Sequence, residues 1–255
     1  MPEQLAPTYT WPRRSALVAL LAAFIALALL TASGFGYRWQ WWPLGTAFAM
    51  LRWGAWLGAA AMLLGLIAGG LSLRRKSGHF TALALIALIG GGVALAMPGQ
   101  WLLKARDLPR IHDITTDPAD PPAFVAIVPL RQSAPNPVGY DYAVNAEAQR
   151  QAYPDIQTMR LPVPSDQVFA AANLAVQQLG WQLVAADAED GRIEATDTTR
   201  WFGFKDDVVV RIRAADDQTL VDVRSKSRVG KSDVGVNADR IRTFRKKLEK
   251  NLRLP

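Results

Sequence analysis

The sequence predicts two kinds of structure in one chain: an α-helical membrane part of three transmembrane helices, then an α+β two-layer domain whose antiparallel sheet carries two helices on one face. Three observations predict it. Ser15–Gly34, Trp53–Leu73 and Phe80–Leu103 are apolar runs without Lys, Arg, Asp or Glu. Beyond Thr158, short runs rich in β-branched residues alternate apolar and polar positions between Gly- and Asp-containing turns. At the C-terminal end, Ile241, Phe244, Leu248 and Leu252 recur every three or four residues.

A helix rising about 1.5 Å per residue needs roughly 20 apolar residues to cross the hydrocarbon core. An ionised side chain at mid-membrane costs at least about 2.5 kcal/mol, so charges stop at the edges of such a run. None of the three runs shows the polar face that a helix of a water-soluble bundle would carry. The first is too long for the apolar region of a signal peptide and is followed by two more, so it reads as a retained span. Gly54-x-x-x-Gly58 and Gly65-x-x-x-Gly69 lie in the second span at the spacing that lets helix backbones approach. Close packing among the chain's own helices is the favoured use of that motif.

Orientation follows from the excess of Lys and Arg in cytoplasmic loops. Arg13 and Arg14 precede the first span, and Arg74, Arg75 and Lys76 fill the short loop between the second and third. Arg38, Arg52, Lys104, Arg106 and Arg110 flank the other side, so the raw count is equal. Weighting the first helix and the short loop places the N-terminus in the cytoplasm of an inner-membrane protein and the C-terminal domain in the periplasm. Trp39, Trp41, Trp42 and Trp53 then form an outer interfacial belt.

The net charge is +7, but residues 1–110 hold ten basic and two acidic groups while residues 111–255 hold nineteen and twenty. The basic balance therefore reflects membrane flanks and gives no argument for nucleic-acid binding. Within the soluble part, residues 200–255 are basic and residues 111–199 acidic. The chain has no cysteine, which excludes disulfides and thiol catalysis.

The expected organisation is a three-helix transmembrane region over residues 1–103, an Asp- and Pro-rich stalk over 104–122, and the soluble α+β domain over 123–255. Phe124–Val128 is a candidate edge strand, and Pro129 to Pro154 reads as irregular. Met159–Val163 reads as a strand. Ser165 is the expected N-cap of a helix whose face carries Val168, Phe169, Ala172, Ala175, Val176 and Leu179, ended by Gly180. Trp181–Ala186 and Arg192–Thr199 flank a Glu-Asp-Gly turn as a hairpin. In the next hairpin, a turn at Ala215–Gln218 sets Val208, Val210 and Ile212 opposite Ser225, Val223 and Val221 on one face. The same register sets Arg211 against Asp222 on the other. The final helix buries its apolar stripe and leaves Arg242, Arg245, Lys246, Lys247 and Lys250 outside.

Several segments together resemble the domain-of-unknown-function family 1499 (DUF 1499). They are Phe124–Arg131, Asn136-Pro137, Tyr153–Ile156, Gly180-Trp181, Arg192–Thr196, Phe202–Asp207 and, most specifically, Arg224–Ile241. The likeness covers roughly residues 121–252. It implies a domain found in bacteria, often behind membrane helices, and in plastid proteins, and it implies no catalytic residues.

The candidate ligand-binding residues lie in that last stretch: Arg224, Ser225, Ser227, Arg228, Lys231, Asn237 and Arg240. Arginines beside the free N–H groups of a helix start suit a carboxylate or phosphate. The competing reading, which ordinary ion pairing favours, is that Asp206, Asp207, Asp233 and Asp239 neutralise these cations internally. Gly230-Lys-Ser lacks the glycine spacing and the immediate helix of a P-loop. His79 and His112 are the only histidines, and with no Cys a His- or Cys-based metal site is not expected; no cofactor is implied. The leading function is non-catalytic binding of an anionic envelope ligand or a membrane or envelope protein, in contact with the lipid bilayer and without nucleic acid. The alternatives are a hydrolase of an envelope polymer or lipid, using Glu194 with Asp206 or Asp207, and a structural assembly subunit using the Gly-rich spans.

Overall fold

A computed structural model describes residues 10–253. The chain divides into two compact units, one running to Leu103 and including Trp201–Gly203, the other holding Lys104–Arg200 and the chain from Phe204 onward.

The first unit is built from α1 (Thr10–Arg38), α2 (Leu44–Arg74) and most of α3 (Gly78–Asp107). These helices have 29, 31 and 30 residues, and all three are long and apolar enough to cross a membrane. Their burial pattern is the reverse of a water-soluble bundle. Small residues such as Ala19, Ala23, Ala61 and Ala87 face inward, while Leu21, Phe24, Leu63 and Ile89 face out. In lipid, burying apolar bulk gains nothing, so small residues that bring backbones together line the contact. α2 and α3 approach closely at their glycines. A Cβ added to Gly91 would stand 2.5 Å from the Gly58 carbonyl oxygen, and one added to Gly58 would stand 2.8 Å from that of Gly91. The glycine motif of the second span is thus used inside the chain, as expected.

The second unit is the α+β domain. Its elements are β1 (Asp113–Thr115), a 3₁₀ turn (Val128–Arg131), α4 (Tyr142–Ala152), β2 (Met159–Leu161), α5 (Ser165–Gln178), β3 (Gln182–Asp187), β4 (Arg192–Thr198), β5 (Lys205–Ala215), β6 (Gln218–Ser227) and α6 (Val236–Asn251). The sheet order is β1-β6-β5-β4-β3, with β2 sharing the outer edge of β6, and every pairing is antiparallel. The β5–β6 register is the one the sequence predicts: Val208 faces Ser225, Val210 faces Val223, Ile212 faces Val221 and Arg211 faces Asp222.

One face of the sheet packs on α5 and α6. Ile193, Ala195, Val208, Val210, Ile212, Val221 and Val223 meet Val168, Ala172 and Val176 of α5 and Ile241, Phe244 and Leu248 of α6. Trp181 stacks on Phe244 with ring centroids 5.9 Å apart. Gly180 ends α5 with φ +72°, a left-handed conformation that glycine adopts without a Cβ clash. Ser165 is the first residue of α5 rather than its cap; Pro164 holds the cap position and makes no side-chain bond.

The stretch before β2 departs most from expectation. Phe124–Val128 is not a strand; the edge position belongs to Asp113–Thr115, inside the segment read as a stalk, where Ile111 and Ile114 join the core. The residues read as irregular contain α4, capped by the Asp141 side chain accepting from the Val144 N–H at 3.2 Å. Its inward positions are Asn145, Ala146 and Gln149, so it shows no apolar period. Gln149 replaces a strand: its amide donates to the Thr115 carbonyl at 2.6 Å and accepts from the Thr115 N–H at 3.0 Å, closing that part of the sheet edge. Residues 116–141 form a strap across the second face of the sheet, where Phe124 and Ile127 pack on Val209, with Val138 and Val184 beside them.

Candidate functional site

Alternation along β6 divides the candidate residues between the two faces of the sheet. Ser225 and Ser227 point to the helix side and meet Asn237 and Arg240 of α6. The Ser225 hydroxyl donates to Asn237 Oδ1 at 2.6 Å, and Asn237 Nδ2 donates to Ser227 Oγ at 3.0 Å. Arg240 donates to Ser225 Oγ at 3.2 Å, Asn237 Oδ1 at 2.6 Å, Asp206 at 2.6 Å, and Asp197 at 3.0 and 2.8 Å. Arg224 and Arg228 lie on the opposite face, under the strap. Lys231 stands exposed in the connecting loop and makes no ion pair among the described residues. The structure therefore gathers Ser225, Ser227, Asn237 and Arg240, and places the sheet between them and Arg224 and Arg228.

Under the strap the sheet carries four carboxylates, Asp113, Glu194, Asp207 and Asp222, each with 0% exposure. Asp113 accepts from Arg224 Nε and Nη2 at 2.9 and 2.8 Å and from Lys226 Nζ at 2.8 Å. The Arg224 guanidinium also donates to the Pro122 and Val138 carbonyls and lies 5.0 Å from the Phe124 ring centroid and 5.4 Å from that of Tyr140. Asp207 accepts from Arg131 at 2.8 Å, from Arg228 at 2.9 and 2.8 Å, and from the Thr196 hydroxyl at 2.7 Å. Asp222 takes Arg211 at 2.9 Å, Arg213 at 2.8 Å, and the Thr116 and Thr158 hydroxyls.

Glu194 binds the strap itself. Its carboxylate accepts the consecutive backbone N–H groups of Val125, Ala126 and Ile127 at 2.9–3.1 Å, and Arg192 lies 3.1 Å away. Three convergent amides of this kind would suit a free anion; here the chain's own side chain fills the position. The carboxylates weighed for hydrolysis are accordingly engaged. Glu194 and Asp207 hold the strap and two arginines, while Asp206 faces the other side of the sheet against Arg240.

Burial shifts the groups around this layer. Desolvation holds the Lys226 ammonium and the Arg131 guanidinium below their ordinary values, against the attraction of Asp113 and Asp207 respectively. Desolvation, reinforced by Asp113, pushes the Tyr140 phenol up to about 12. His112 is held below its ordinary value by burial and then by the Lys226 charge. Asp233 is raised by burial, although its carboxylate accepts the Gly235 and Asn237 N–H groups, each at 2.9 Å, at the start of α6. Asp239, the other acid expected to neutralise the loop, instead takes Lys104 and Arg242.

A cavity of about 320 Å³ opens elsewhere on the domain, between α6 and the segment leading into β2. Ile156, Met159 and Ile241 line it with apolar surface, and Arg242, Arg245 and Lys246 stand around it with Asp155 and Glu249. The sequence marked these basic residues as the outer face of the last helix; the hollow beside them comes from the β2 approach, which no local pattern announces.

These features define a membrane-helix protein carrying an α+β domain whose sheet is charged on one face and apolar on the other. The chain belongs to the family described as "Protein of unknown function (DUF1499)", whose sequence profile matches residues 113–248, just over half of the chain. That match begins at Asp113, the buried partner of Arg224, and so includes the first strand of the sheet. No curated protein and no solved structure matches the chain.

Two predictions follow from the buried layer. Removing one partner of a buried ion pair leaves an uncompensated charge, at a cost of about 3–5 kcal/mol, whereas an exposed pair contributes about 0–1 kcal/mol. Asp207→Asn should therefore destabilise the domain by about 3–5 kcal/mol in denaturant unfolding, and Arg245→Ala, which breaks a surface pair with Glu249, by no more than about 1 kcal/mol. His112 titrates lower in the folded than in the unfolded chain, so the unfolded state takes up the proton first as pH falls. Its contribution to stability is present above its ordinary value of 6.5 and is lost as pH falls from there through the folded value. His112→Asn should flatten the dependence of the melting temperature on pH across that window, against the wild-type profile measured in the same detergent.

Proposed function

We propose that this is a non-catalytic inner-membrane protein, N-terminus in the cytoplasm, whose α+β domain stands in the periplasm and binds an anionic envelope component. The observation that carries the reading is the distribution of charge. Acids and bases of the sheet neutralise one another beneath the strap, while the hollow beside α6 is lined by the cations Arg242, Arg245 and Lys246 against the acids Asp155 and Glu249. Arg224, Arg228 and Arg240 then act as internal fasteners of the Arg224–Arg240 segment, and Lys231 is its outward-facing cation. Arg13, Arg14, Arg74, Arg75 and Lys76 support the orientation, because positive charge at the first helix and in a short loop resists translocation.

The absence of cysteine makes the orientation directly testable. Gly139 and Gly78 are exposed, with no atom within 4 Å of an added Cβ. In cells with a permeabilised outer envelope, a membrane-impermeant maleimide should label Gly139→Cys, and should label Gly78→Cys only after lysis; the opposite pattern contradicts the orientation. For the binding role, native mass spectrometry of the full chain, released from a neutral detergent, should show a retained anionic molecule. A chain that is bare in preparations made directly from its native membrane contradicts it.

A further inference from the structure

The membrane helices carry cations and no acid to meet them. Residues 10–103 contain no Asp or Glu. Arg13, Arg14, Arg74, Arg75 and Lys76 are all exposed and make no ion pair among the described residues. These five stand at one end of the first unit, where the three helices meet on Ala16, Ala68 and Ala84. At about 1.5 Å of rise per residue, the α1 arginines and Arg74 lie within roughly 9 Å of that contact along the helix axes, and Arg75 and Lys76 occupy the turn that follows. Just inside the cations the outward side chains are apolar and open: Leu17 and Val18 on α1, and Leu71 and Leu73 on α2, are 39–66% exposed. At the other end of the same unit only Arg38 and Arg52 are basic.

We infer that this end of the helix unit binds an anionic phospholipid of the adjoining leaflet, its phosphate held by the α1 arginines and the Arg74-Arg75-Lys76 turn and its acyl chains laid along the outward side chains of α1 and α2. A leaflet places its phosphates at the level where the apolar stretch of a spanning helix ends, so the lipid arrives in register with the cations. Four of the five are arginines, whose planar fork of donors meets a phosphate in bidentate fashion. A zwitterionic headgroup brings its own cation and leaves the surplus charge unmatched. A soluble anion would match the charge and leave Leu17, Val18, Leu71 and Leu73 without a partner. The site is separate from any ligand of the α+β domain, and it does not depend on which side of the membrane this end faces.

The test titrates the full chain in a neutral detergent with phosphatidylglycerol or with phosphatidylcholine of the same acyl chains, and reads bound lipid by native mass spectrometry. Phosphatidylglycerol should bind about tenfold tighter or more. A cation at the membrane surface contributes about fivefold to the attraction of anionic lipid. Arg74→Gln/Arg75→Gln should therefore weaken phosphatidylglycerol about twenty-fivefold and leave phosphatidylcholine unchanged. Lys76 stands at φ +52°, so Lys76→Gly removes its charge and relaxes the turn at once. That variant should weaken phosphatidylglycerol about fivefold without lowering the melting temperature, a combination that a merely structural turn would not give. Arg52→Gln, at the other end, should change neither affinity. Equal affinity for the two lipids, phosphatidylglycerol binding undiminished in Arg74→Gln/Arg75→Gln, or an equal loss in Arg52→Gln overturns the inference. An anion held by the α+β domain would persist in the Arg74→Gln/Arg75→Gln chain, so the two sites are read separately.

Discussion

Four carboxylates on the second face of one sheet set the terms for the rest of the domain. Asp113, Glu194, Asp207 and Asp222 project from β1, β4, β5 and β6 into space that excludes water. A buried carboxylate without partners is prohibitively costly, so each must be met by cations or by convergent N–H groups. The sheet supplies some of these from neighbouring positions, such as Arg224 and Arg211, and the strap supplies the others. Arg131 enters from the 3₁₀ turn, the amides of Val125 to Ile127 close on Glu194, and carbonyls at Pro122, Val138 and Gly139 take the remaining donors of Arg224 and Lys226. A long segment with little secondary structure is thereby held in one conformation by its polar backbone groups, with Phe124 and Ile127 adding a small apolar contact.

This arrangement gives the distinctive Arg224–Arg240 stretch a double use. Its odd and even strand positions serve opposite faces, so the same few residues close the charged layer on one side and tie α6 to the sheet on the other. Arg240 links Asp197 and Asp206 of two strands to Ser225 and Asn237, fixing the start of α6 relative to β4, β5 and β6. The position of the outer row of α6, and hence of the hollow beside it, follows from that anchor.

What the sequence made legible was local. The β5–β6 register follows from alternation and a short turn, and the faces of α5 and α6 follow from helical period, so both were readable residue by residue. Asp113 and Arg224 are 111 positions apart, and Arg131 and Asp207 are 76 apart; no periodicity links residues at such distances. β1 has three residues, too few for alternation, and lies among aspartates and prolines that read as a stalk. α4 turns Asn145 and Gln149 inward, so its buried face looks polar. The cations of the Arg224–Arg240 stretch were visible from the start. Their partners were only partly so: Asp206 and Asp207 are near in sequence, but Asp113, Asp197 and the strap carbonyls come from elsewhere.

The most direct measurement of the charged layer is native-state hydrogen exchange at the backbone amides of Val125, Ala126 and Ile127. These lie in a segment without regular secondary structure, so ordinary loop behaviour would exchange them quickly. If Glu194 holds them as described, they should exchange as slowly as the central amides of β5, and Glu194→Gln should speed all three together. Fast exchange in the wild-type chain would contradict the account, because the strap would then not be fastened to the sheet by its charge.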